Sequence, residues 1–114
     1  MALVRWITEI GMGVDVHGRD YNNAAKRAVS DALRHSSLSF FEAAGKSHRD
    51  MHIEVRIAVA DPAAIDPAVI AAEIPYGTVT VTPVAGGLDV PAPSGDDALV
   101  VANAVILVSF DDGR

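Results

Sequence analysis

The chain contains no cysteine, so disulfide frameworks, thiolate nucleophiles and sulfur-ligated metal centres are excluded. Aromatic residues are scarce at 5%, and nine Lys and Arg face fifteen Asp and Glu. The net charge of −6 and a pI near 4.9 argue against nucleic acid or an anionic membrane surface as the main partner. No hydrophobic run is long enough to span a bilayer. The longest, Ala98–Val108, has eleven residues with Asn103 among them, where a spanning helix needs about 18–20. The opening stretch MALVRWITEIG carries Arg5 and Glu9 and no cleavage-type sequence, so a signal peptide is not expected. The expected setting is soluble and cytoplasmic.

What is present is a chain of 114 residues, 50% of them apolar. One domain spanning residues 1–114 is expected, with a core that buries roughly 65% of the unfolded surface. Charge is unevenly spread. Residues 1–60 hold eight basic and seven acidic side chains, and residues 61–114 hold one and eight. A basic patch can therefore lie only around Arg19, Lys26, Arg27 and Arg34. Four cations suit a small anion better than a polyanion.

Hydrophobic periodicity gives the order β-α-β-α-β-β. Leu3–Ile10 reads as the first strand, ending at Gly11-Met12-Gly13. Asp20 or Asn22 caps a helix to about Ser36, with Ala25, Ala28, Val29, Ala32 and Leu33 on its apolar stripe. Leu38, Phe40 and Phe41 extend the core through a turn, and Gly45–Arg49 is a polar loop. From Met51 to Val59 apolar and polar residues alternate strictly, the mark of a strand. Asp66-Pro67 starts a short helix, stopped by Pro75-Tyr76-Gly77. Thr78–Val84 is the third strand, Ala85–Asp97 a glycine- and proline-rich loop, and Ala98–Phe110 the fourth strand.

That fourth strand is apolar on both registers, so it should be covered on both faces. The expected fold is α+β: a mixed four-stranded sheet, two helices on one face, and the fourth strand central and antiparallel between the first and second. Covering the other face then calls for another subunit, hence a homo-oligomer. The alternative is a sheet curled over large side chains such as Trp6 and Phe110. Asn103, buried in such a strand, would fix register or reach into a site.

The unusual residues gather in Gly11-Met12-Gly13-Val14-Asp15-Val16-His17-Gly18-Arg19-Asp20. A dinucleotide fingerprint fails here, because Val16 stands where the third glycine is needed and the helix starts too late. No organic cofactor is expected. Three readings stay open. In a structural one, glycines allow a bend, Asp15 and Asp20 bond loop amides, and His17 is a satisfied imidazole. In an anion site, free amides at the helix start act with Arg19 and His17. In a metal site, Asp15, His17 and Asp20 are the ligands. The D-x-H spacing is too weak a signal to assign a metal.

GMGVDVHGRD, AAKRAVSDAL, IPYGTVTV and GGLDVP together resemble the small uncharacterised bacterial and plant family marked by a G-x-G-x-D-x-H-G signature, the Lin hypothetical-protein family, from about Arg5 to Val108. Gly11, Gly13, Asp15, His17 and Gly18 fill the signature, and Asn22 stands where a threonine cap is expected. The resemblance implies a site at Asp15 and His17 but no reaction. The element order also resembles the chorismate-mutase/YjgF-like architecture, which implies a trimer with sites between subunits and transfers no activity.

The leading expectation is a small-metabolite enzyme with a subunit-interface site for an anionic or carbonyl-containing molecule. In it His17 is the general acid/base, Asp15 or Glu9 fixes its tautomer, and Arg19 binds the anion with the helix amides. Gly11, Gly13, Gly18 and Glu54 would line that site. The chemistry would be of lyase, isomerase, tautomerase or hydrolase type. The rival is a non-catalytic binding or assembly module in which residues 11–20 are a folding motif. His35, His48 and His52 lack metal-ligand spacing, and no serine lies in a nucleophile elbow.

Overall fold

Side-chain alternation builds the sheet, and small residues set how near the first helix comes to it. The computed structural model describes residues 3–34, 51–75 and 77–111. In chain order these form β1 (Leu3–Asp15), α1 (Tyr21–Arg34), β2 (His52–Val59), a 3₁₀ turn (Pro62–Ala64), α2 (Pro67–Ala71), β3 (Thr78–Ala85), β4 (Leu88–Pro91) and β5 (Ala98–Asp111). The fold is α+β with a mixed sheet, as expected. Leu38, Phe40, Phe41, Gly45–Arg49, Tyr76 and the Trp6 side chain lie outside the described residues.

Strand order is β1-β5-β2-β3. The strand from Ala98 is central, antiparallel to both β1 and β2, while β2 and β3 run parallel. Two expectations about the strands need correction. The sheet has five strands, because Leu88–Pro91, inside the expected loop, pairs with Ala98–Val101. It takes the part of the β5 edge that β2, which pairs with Ala104, Asn103 and residues beyond, leaves free. Nor does β1 bend at Gly11. It continues to Asp15, with Gly11 opposite Ala104 and Gly13 opposite Ala102.

The reason lies under α1. A Cβ on Gly11 would stand 2.2 Å from the Ala28 carbonyl oxygen, and one on Gly13 would stand 2.1 Å from that of Ala24. Both glycines are buried, and Ala24, Ala25, Ala28 and Ala32 line the facing side of the helix. The two backbones therefore meet with almost no side chain between them. These glycines serve close approach, not a turn. Beneath the helices, Val100, Ala102, Ala104 and Ile106 of β5 join Ile53, Val55, Ile57 and Val59 of β2 in one buried cluster, with Ile70 of α2 above. Phe110 belongs to this same helix-side core.

Polar residues of α1 secure the outer edge of β1. Asp31 accepts from the Met12 amide at 3.0 Å, and Arg27 donates to the Val14 carbonyl at 2.6 Å. Edge groups left open would invite another strand. Asn22 is not the helix cap but a tie: it accepts from the Asp66 amide at 2.7 Å and donates to the Ala64 carbonyl at 3.0 Å. Asp66 caps α2 by accepting from the Ala68 amide, with Pro67 at the first helical position. Asn103 is exposed rather than buried, because its register faces away from both helices. No described helix is long and apolar enough to cross a membrane.

Gly13→Ala should cost about 3 kcal/mol, the upper range of overpacking, since backbone atoms stand in the way and cannot rotate aside. Urea denaturation measures this; an unchanged midpoint would contradict the seating of α1 described above.

Candidate functional site

The motif from Gly11 to Asp20 comprises the last five residues of β1 and the connection into α1. Asp15 ends the strand on the face that α1 covers and is 7% exposed. Burying a carboxylate requires partners. Its Oδ1 accepts from Asn23 Nδ2 at 2.8 Å, its Oδ2 accepts from the Asp20 amide at 3.1 Å, and Arg27 Nη1 stands 3.8 Å away. Asp20 in turn caps α1, accepting from the Asn23 amide at 3.0 Å, while its carbonyl accepts from Ala24. The helix start thus already holds two carboxylates of the chain itself. Those charges repel an incoming anion and occupy amides it would use.

His17 goes elsewhere. Its side chain is 88% exposed and its Nδ1 lies 3.4 Å from Asp97 Oδ2, just before β5. Asp97 also accepts from the Gly18 amide at 3.0 Å and from the Ala98 amide at 2.8 Å. The Ala98 and Gly18 amides hold its carboxyl below the usual 3.8, and His17 adds a smaller pull. Gly18 has φ 89°, which glycine adopts without strain. Asp97 therefore fastens the turn after β1 to the start of the central strand.

The expected site residues are not brought together. Asp15 and His17 take different partners. Glu9 is half-buried on the α1 side, six residues before Asp15, hence about 20 Å up the strand. Glu54 pairs opposite Leu107 while Asp15 pairs opposite Val100, a separation of about 23 Å along β5. Glu54 is bonded to Arg56 Nε at 3.0 Å. Arg19 is exposed at φ 51°. Of the basic cluster, Arg34 pairs with Asp31, Lys26 approaches Glu73, and Arg27 serves Val14 and Asp15.

Three participants escaped the sequence reading: Asn23, Asp97 and Tyr21. The first two had a faint signal, in the D-x-x-N spacing from Asp20 and in the aspartate directly before an apolar strand. Tyr21 donates to Asp89 Oδ2 and so joins α1 to β4. That hydrogen bond, with burial second, raises its phenol above the usual range.

The model of a conserved hypothetical protein family, Lin0512_fam, matches residues 5–108. The chain is also similar to an FtsZ-like protein of unknown function from Nostoc punctiforme PCC 73102, known from a crystal structure. The two are 38% identical, with a TM-score of 0.85 over 98% of this chain and 99% of that one. No curated protein matches the chain.

Asp15→Ala should cost about 2 kcal/mol by leaving the Asn23 amide group and the Asp20 amide without an acceptor, whereas His17→Ala should leave the denaturation midpoint unchanged. Because the Asp97 carboxyl sits below 3.8 in the folded chain, its contribution is complete above that pH and is lost as pH falls through the folded value. A carbon-detected titration of Asp97 should show that low midpoint, with Gly18 amide exchange rising as it protonates. A midpoint at or above 3.8 would contradict the clasp.

Proposed function

The chain belongs to the conserved hypothetical Lin0512_fam family, and we propose that it acts as a non-catalytic assembly module whose copies join through the sheet face away from the helices. Within this reading the signature residues are a folding motif: Gly11 and Gly13 seat the helix, Asp15 anchors its start, and Gly18 and His17 meet Asp97.

One observation carries the proposal. Ile10, Met12, Leu88 and Val90 are 65%, 55%, 58% and 47% exposed, and register sets all four on the face opposite the core. Val14, Val101 and Val105 lie between them, half-buried by their neighbours. At ~4.8 Å between strands and ~3.3 Å per residue, three strands by about eight residues give ~400 Å² per copy, so two copies hide about 800 Å², the size of a weak interface. A second copy is the fitting occupant because these apolar residues carry no charge and Arg56, beside Val105, is already paired with Glu54. A protein of net charge −6 repels itself except where such a surface meets its own kind. A trimer is the state the chorismate-mutase-like resemblance implies.

Size-exclusion chromatography with light scattering should give a multiple of 11.9 kDa. Met12→Glu should return the mass to one copy with an unchanged circular dichroism spectrum, since the side chain is exposed in the single chain. Wild-type protein running as one copy at all concentrations would end the proposal.

A further inference from the structure

The same sheet face changes character toward the end where β2 begins. There Arg5, Ser109, His52 and Thr78 lie directly across from one another on four adjacent strands. One step along, Leu107, Glu54 and Thr80 form the next row. These two rows line a cavity of about 310 Å³, at the lower end of the range for small-ligand sites.

Arg5 reaches it through an irregularity. Glu9, Gly11, Gly13 and Asp15 alternate onto the α1 side, and period two would send Arg5 there as well. The register shift between Arg5 and Ile7 instead sets Arg5 opposite Ser109, among the cavity residues. Bulges re-aim side chains in this way. Charge then selects the ligand. Glu54 pairs with Arg56 at 3.0 Å, while Arg5 has no carboxylate partner among the described residues, which leaves its charge available to a ligand as far as these residues go. Around it stand the hydroxyls of Ser109, Thr78 and Thr80 and the His52 imidazole, all able to donate, with Leu107 as an apolar wall.

From this arrangement we infer that the cavity binds a small hydroxylated organic anion, whose carboxylate or phosphate meets Arg5 and whose hydroxyls meet the threonines and Ser109. The inference does not rest on assembly, since Arg5, Ser109, His52 and Thr78 lie beyond Ile10, Met12, Leu88 and Val90 along the face.

Amide-detected NMR of the full chain, titrated with glycerate and separately with inorganic phosphate, tests it. Saturable shifts are expected at residues 5, 52, 54, 78, 80 and 109, and comparing the two probes tells a carboxylate from a phosphate preference. Arg5→Gln should weaken binding about ten-fold or more with the oligomeric mass unchanged. Should that variant not fold, Thr80→Val, which keeps the shape and removes one donor, should weaken it several-fold. The inference is overturned by an absence of saturable shifts with either probe at tens of millimolar. Shifts reproduced by chloride, or binding indifferent to the variants, would overturn it as well. Light scattering on the same samples reports on assembly independently.

Discussion

The structure depends on one close approach, that of the α1 backbone to the β1 backbone at Gly11 and Gly13. Helices usually ride on a layer of side chains. Here alanines on one side and missing side chains on the other remove that layer, so van der Waals attraction acts between main chains. Rigid atoms meeting rigid atoms leave little freedom to slide. The position of α1 along the strand is thereby fixed, and with it the place where the chain must turn. Asp15 and Asp20 stand where the turn leaves amides needing acceptors, and Arg27 and Asp31 stand where the strand edge needs partners. The signature is thus a coherent set: two absences that allow contact, one buried carboxylate that exploits it, and a flexible residue that lets the chain leave.

Much of the fold was legible because its causes are local. Strict alternation from Met51 to Val59 marks β2, Asp66-Pro67 marks the start of α2, and an apolar strand on both registers marks the centre of the sheet. The failures share a cause too. Glycines at 11 and 13 look like punctuation in a sequence, and only a helix above them turns them into packing surface. Leu88–Pro91 is too short to stand out from its loop and is a strand only because β2 leaves part of β5 unpaired. Asn103 looked buried because its neighbours are apolar, yet neither described helix lies over its side of the strand.

The candidate site was harder to read for the same reason. Asp15 and His17 are two residues apart, a spacing that suggests cooperation, but the strand ends between them and their partners come from different elements. Asp97 lies 79 residues from the glycine amide it accepts, beyond any local pattern. The Arg5–Ser109–His52–Thr78 row joins residues from four strands and depends on a register shift that composition does not announce. The alternating threonines of β3 and the polar positions of β2 were visible one strand at a time. What could not be seen was that they align.

The edges of the sheet bear on how the protein can meet itself. On one side the main-chain groups of Met12 and Val14 are already taken by a helix, and on the other Pro83 in β3 lacks the hydrogen a neighbouring strand would seek. Lateral strand addition, the route to fibres, is hindered at these two places. In the assembly proposed above, copies would then meet through their broad faces, where a self-complementary contact between two copies leaves no free face for a third.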